Sequence, residues 1–411
     1  MTDSTVEITA QCLCKQHTFK ASIARSSLPI KASTCHCHSC RHLTGAMYSS
    51  EAPWPAADGG EAVANSTLQR YVFSERLTVR FCGTCSSPMF WEFVGQSKIS
   101  VFTGVLTSHA DPDDVEDLVQ ITDVIFVGDT LDGGAAPWLK RPNGADGKKA
   151  RLWLGPANES EELPHDWLLP ASLPASLPDA SKKSALRVTN NSLDQVAIRC
   201  RCKGVDLVMQ RWSPGLEAEG GSDSGARSWI IDPDTHKGLG SFDACDSCRV
   251  ASGVDVFNWT FVVWRQVGFA GETKTTTGGR FPVTSTELNV ALSAQERDSR
   301  FGTLTCYSSS PGTYRYSCSR CSACVFYGSD RKPQFADVAV GVLDAPDGAR
   351  AEDFVSWNFG GDMVWRNDIV GTWREGLVES IESEAEAWRL ERGYPKNFYR
   401  IKKEEAKSTG S

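Results

Sequence analysis

Thr34–Cys40 reads TCHCHSC, three cysteines and two histidines within seven residues. Such a segment can hold a metal, close a disulfide or do chemistry, and the rest of the chain narrows the choice. The 411 residues include 15 cysteines, an odd number. A secreted protein built on that many disulfides is usually smaller and carries a signal peptide. The N-terminus, MTDSTVEITAQC, has neither a basic start nor an apolar stretch, which argues against such a signal. A reducing, cytoplasmic setting is expected, and there metal coordination is the natural use of so many thiols. The net charge of -8 gives no electrostatic case for nucleic acid. No window approaches the apolar length of a membrane span, so no membrane role is expected.

The cysteines fall into an order that repeats. Cys12 and Cys14 form C-x-C, Cys35, Cys37 and Cys40 form C-x-C-x-x-C, and Cys82 and Cys85 form C-x-x-C. Farther on, Cys200 and Cys202 are again C-x-C, Cys245 and Cys248 lie in DACDSCRVASG, and Cys318 and Cys321 are again C-x-x-C. CHSCRHLTG from Cys37 lies over CDSCRVASG from Cys245, both keeping C-x-x-C-R-x-x-x-G. FTGVL from Phe102 aligns with AVGVL from Ala339, and VEDL from Val115 resembles AEDF from Ala351. A chain of this length exceeds one core, and the echo points to two copies of one domain. The reading is a zinc domain over residues 1–154, a Pro/Ser/Ala-rich linker over 155–193, a degenerate zinc domain over 194–374, and a helix and tail over 375–411.

Runs such as RLTVRF and KISVFTGVL are rich in β-branched and aromatic residues and read as strands, so the fold is expected to be mainly β. Leu377, Ile381, Ala385 and Trp388 recur at helical spacing and predict an amphipathic helix packed on the second domain. The tail RIKKEEAKSTGS is expected to fray.

Cysteines at i and i+2 of a strand share a face. One such pair with a C-x-x-C turn can present four sulfurs to one zinc ion at about 2.3 Å. Cys12, Cys14, Cys82 and Cys85 are therefore assigned to a closed structural site, and Cys200, Cys202, Cys318 and Cys321 to its counterpart. Cys35, Cys37 and Cys40 are three. Either a histidine completes the set, or the fourth position stays open, as at catalytic zinc. His36 and His38 alternate with the cysteines, and solvent contact or hydrogen bonding behind the ligands is the preferred reading for both. Three thiolates lower the Lewis acidity of zinc but still suit a thiol substrate, which binds deprotonated. The expected chemistry is at sulfur or at a polarised carbonyl.

C-x-C near the start, C-H-C-x-x-C-R-x-x-x-G, then R-F-C-x-x-C and a G-V-L segment resemble the glutathione-dependent formaldehyde-activating family, also called centromere-protein-V-like. The resemblance covers nearly all of residues 7–150 and recurs, more degraded, over 194–370. It implies an Mss4-like β fold, a structural zinc on Cys12, Cys14, Cys82 and Cys85, and a catalytic zinc on Cys35, Cys37 and Cys40. It also implies a carbon-sulfur lyase activity that joins or splits a thiol such as glutathione and an aldehyde. The chain departs from the family pattern at Lys15 and Ser86, where glycine is usual. In the second copy Asp243 stands where the first cysteine of the triad would be. Asp243, Cys245 and Cys248 either form a more Lewis-acidic open site, or this copy has lost its reactive metal. The second is preferred, because a shorter arm must fit a site built for cysteine. Arg41 and Arg249 are expected in structural ion pairs rather than on a substrate carboxylate. The alternative to an enzyme is a zinc-stabilised module that binds a protein partner.

Overall fold

The computed structural model describes residues 4–55, 60–107, 118–144, 147–167, 194–213, 228–271 and 279–409. Strands dominate, and two large sheets form the body of the two halves. In the first half the order across the sheet is Glu162–Leu163, Arg151–Trp153, Val119–Ile125, Ile30–Cys35, Ser49–Pro53, Ile99–Phe102, Pro88–Phe93, Leu77–Phe81 and Gln69–Val72. In the second it is Val355–Trp357, Gly238–Asp243, Phe257–Val263, Phe335–Ala339, Cys324–Ser329, Thr313–Cys318 and Leu304–Ser310. Seven consecutive places correspond, including the parallel pairing of Ile30–Cys35 with Val119–Ile125 and of Gly238–Asp243 with Val355–Trp357. A smaller sheet in each half holds the hairpin of the first C-x-C, from Thr5–Gln11 to Thr18–Ala24 and from Gln195–Arg199 to Asp206–Gln210.

Alternation explains the hairpin strands. In Thr5–Gln11, Val6, Ile8 and Ala10 are buried on one side of the pleat. Leu77–Phe81 lies deeper, with every residue after Leu77 buried. The segments KISVFTGVL and AVGVL are not continuous strands. Thr103–Val105 and Val340–Val342 are 3-10 turns that follow Ile99–Phe102 and Phe335–Ala339. The interruption has a tertiary cause. The Gly104 N–H donates to the Gly253 carbonyl at 2.9 Å, and the Gly341 N–H donates to the Gly45 carbonyl at 2.8 Å. Each half thus sends its turn to the end of the other half's C-x-x-C helix, His38–Thr44 or Asp246–Ser252.

One apolar core runs through both halves. Trp138 of the first half is buried and meets Phe242, Trp357 and Phe359 of the second, its ring edge-on to Phe242 at 5.4 Å. The expected helix is Arg374–Glu391, with Leu377, Ile381, Ala385 and Trp388 buried. It packs on the second half as expected, with the Met363 N–H donating to Glu382 and Arg350 over the Trp388 ring, but also on the first half. It lies against Ala136–Trp138 of the first half, and Arg374 reaches across both halves. The tail also departs from expectation, since Phe398–Thr409 is helical and is tied back by Arg400 to Glu386 at 2.9 Å. The segment read as a linker includes Glu162–Leu163, which pairs with Arg151–Trp153 as an outer strand. Residues 168–193 of that segment, and Val115–Asp117 of VEDL, lie outside the described residues. No described helix is long and apolar enough to cross a membrane.

Candidate metal centres

Cys12 and Cys14 sit at the bend of the first hairpin, and Cys82 and Cys85 in the turn between Leu77–Phe81 and Pro88–Phe93. The four sulfurs converge. Cys14 Sγ stands 3.5 Å from both Cys12 Sγ and Cys82 Sγ. That is far from the ~2.0 Å of a disulfide. It is near the ~3.8 Å edge of a tetrahedron with ~2.3 Å arms. Cys200, Cys202, Cys318 and Cys321 repeat the arrangement, with Cys202 Sγ 3.6 Å from Cys200 Sγ and 3.5 Å from Cys318 Sγ. Backbone N–H groups donate to the sulfurs, His17 to Cys12 at 3.3 Å and Val205 to Cys200 at 3.2 Å. Such donors stabilise thiolates. All 15 cysteines are free thiols. Each four-sulfur group fits a closed zinc site.

The turns that shape these groups need left-handed backbone. Lys15, Ser86, Lys203 and Ser322, each just past a cysteine pair, have φ between 55° and 67°. Lys15 and Ser86 therefore hold the conformation for which glycine is preferred, and their side chains do not alter the turn.

Cys35, Cys37 and Cys40 also converge. Cys35 ends the strand Ile30–Cys35, and Cys37 is the N-cap of His38–Thr44, its sulfur accepting the Cys40 N–H at 3.3 Å. Thiol contacts from Cys35 and Cys40 hold the Cys37 thiol below its ordinary range, while the same cluster pushes Cys35 up. Cys35 and Cys37 are part exposed and Cys40 is buried. Three sulfurs, two of them part exposed, fit a three-thiolate zinc site.

Neighbours of the triad take other roles. His36 is buried, stacks on Tyr48 at 5.6 Å and lies 3.2 Å from Thr34 Oγ1. Burial, with the Arg41 charge, pushes its imidazole down to about 3, so it is neutral. His38 points to Asp344 of the second half, its Nε2 3.6 Å from Oδ1. Tyr48 is buried against the Val256 carbonyl and its hydroxyl is pushed upward by burial, which removes it as a base. Buried Arg41 donates to the His36 carbonyl at 3.3 Å. Its counterpart Arg249 binds Asp246 at 2.6 Å and the Gly104 and Leu106 carbonyls of the first half. Arg249 makes the expected ion pair, whereas Arg41 is held by a backbone carbonyl. Sequence reading missed Asp129. This exposed carboxylate accepts the His38 N–H and lies close enough to Cys37 for the thiolate charge to act on it. Desolvation and that charge raise it above the usual aspartate range. It follows the parallel strand Val119–Ile125, and only the fold brings it there.

Asp243, Cys245 and Cys248 converge as well. Asp243 accepts the Cys245 N–H at 2.7 Å and the Cys248 thiol at 3.4 Å. The decisive neighbour is Arg315. Its Nη1 donates to Cys248 Sγ at 3.6 Å, and the residue is buried. Counting back three from the C-x-x-C pair, Arg315 occupies the place of Val79 in the first half. A fixed cation there supplies the positive charge that a metal would bring. Cys306 and Cys324 lie apart from these groups, Cys306 bonded to Asn289 and Cys324 in the core.

No curated protein and no solved structure matches the chain. Residues 7–121, which carry both cysteine pairs and the triad of the first half, match the family model described as glutathione-dependent formaldehyde-activating enzyme.

Proposed function

We propose that the chain is a carbon-sulfur lyase-type enzyme that joins a small-molecule thiol such as glutathione to an aldehyde, or splits the adduct, at Cys35, Cys37 and Cys40. The second half is, in this reading, a copy of the same domain retained for structure, each copy an Mss4-like β fold, and the protein works in the cytoplasm. The observation that carries the proposal is the contrast between the cysteine groups: two of them have four converging sulfurs, whereas the triad has three, two of them part exposed. A zinc ion held by the triad supplies an electrophilic centre for a thiol or carbonyl group.

The chain's own residues do the rest. Asp129 stands beside Cys37 and accepts the thiol proton. The S–C bond forms at the carbonyl carbon, the C=O π pair moves to oxygen, and the proton returns from Asp129 to that oxygen. Cleavage runs the same steps backwards. The helix His38–Thr44, capped at Cys37 and closed by Gly45, keeps the three sulfurs in register.

The test is zinc per chain, with thiol and aldehyde turnover followed by NMR, in wild type and in Cys35→Ser with Cys37→Ser. The double variant is expected to lose one zinc and all turnover while keeping the fold. An unchanged count of two would leave only the structural sites filled, and the reading would give way to a protein-binding module.

A further inference from the structure

We propose that His38, His42 and Asp344 form a further divalent transition-metal site, distinct from the cysteine groups, that joins the two halves. His38 and His42 are four residues apart in the helix His38–Thr44 and so lie on one face, the spacing by which a helix offers two imidazoles to one ion. Asp344 comes from the second half, in the short strand Leu343–Asp344 just beyond the turn Val340–Val342. The Gly341–Gly45 hydrogen bond sets the approach, and the Arg201 N–H donates to the His42 carbonyl at 2.8 Å. One ring nitrogen from each histidine and a carboxylate oxygen of Asp344 lie within 4.8 Å of one another.

Two details mark this cluster as more than a surface ion pair. His42 is 2 % exposed, and its Nδ1 donates to the Arg199 carbonyl at 2.6 Å. That bond leaves the lone pair on Nε2, which is buried and finds no hydrogen-bond partner among the described residues. A histidine oriented from behind by a carbonyl, with its other nitrogen free, is the usual posture of a metal ligand. Asp344 is oriented in the same manner: Arg199 holds Oδ2 at 2.9 Å, while Oδ1 stands 3.6 Å from His38 Nε2, too long for a good hydrogen bond. His38 and Asp344 are exposed, so side-chain rotation is free to close the set to metal-ligand distances of about 2.1 Å.

The internal correspondence argues that packing alone does not demand these residues. The alignment of Cys37 with Cys245 and of Gly104 with Gly341 places Asp246, Val250 and Thr107 at the counterpart positions. Those three residues line a cavity of about 320 Å³ and include no imidazole. Two imidazoles and one carboxylate suit zinc, cobalt or nickel and leave coordination positions for water. With no thiolate and with Arg199 sharing the carboxylate, this site binds more weakly than the cysteine groups.

The probe is cobalt(II), titrated into full-length protein purified with its zinc. Wild type is expected to take up one cobalt with weak visible d–d absorption and no near-ultraviolet thiolate-to-cobalt band. His38→Gln and Asp344→Ala should both lose that uptake while keeping their zinc content and circular dichroism. Because His38 is exposed, His38→Gln reads out the site even if the other variant unfolds. Absence of the extra cobalt in wild type, uptake carrying a thiolate band, or uptake unchanged in folded His38→Gln would overturn the proposal.

Discussion

Gly45 shows how one residue can be set by two constraints. It caps the helix His38–Thr44 at φ 79°, and a Cβ there would lie 2.1 Å from the Cys324 carbonyl oxygen of the second half. Gly253 repeats the cap at φ 78°, with Phe102 of the first half 2.9 Å from its notional Cβ. The terminal glycine of C-x-x-C-R-x-x-x-G is therefore a helix stop and a point of close approach. Gly45→Ala should destabilise the protein by about 2–4 kcal/mol, combining left-handed strain with an overlap that only backbone movement relieves. Urea unfolding checks this, and a loss below 0.5 kcal/mol would contradict the packing. Arg315 is the opposite lesson, a buried cation standing where the other half has valine. Nothing in its local sequence announces that; the strand register does.

At the scale of elements, the two C-terminal helices are joined through Glu386. It accepts from Arg389 at 2.8 Å and from Arg400 at 2.9 Å. Bonding to Arg389, followed by Arg400, pushes its carboxyl down to about 2 from an ordinary 4.5. A carboxyl depressed in the folded state adds stability above its unfolded value and loses it as the pH falls toward the folded one. Wild-type stability should therefore fall between about pH 4.5 and pH 2 by more than that of Glu386→Gln, in parallel urea titrations. Equal slopes would show that Glu386 is not coupled to folding. The amphipathic helix was legible from Leu377, Ile381, Ala385 and Trp388, because periodicity reports burial. Periodicity does not report the partner, and the surface it meets includes Ala136–Trp138 of the other half.

At the scale of the molecule, the halves are interlocked rather than tethered. Arg374, on the C-terminal helix, donates to Asp255 of the second half at 2.9 Å and to the Thr103 and Leu106 carbonyls of the first at 2.9 and 3.0 Å. Asp255 is fully buried and also accepts the Thr103 hydroxyl. Arg374→Met leaves that carboxylate without its cation and should cost about 3–5 kcal/mol, seen as a lower urea midpoint with a single transition. Two separate transitions would mean that the halves fold independently.

The sequence by itself determined which cysteines group together, the mainly β character and the internal echo. Each rests on short-range rules: cysteine spacing and strand alternation. The tertiary structure alone decided what faces what. Asp129 reaches the triad through a parallel strand, Asp344 reaches His38 from the other half, and Arg315 reaches the second triad from Thr313–Cys318, four places away from Gly238–Asp243 in the sheet. These contacts join residues far apart along the chain. They depend on sheet order and on the reciprocal glycine contacts, which one-dimensional spacing does not encode.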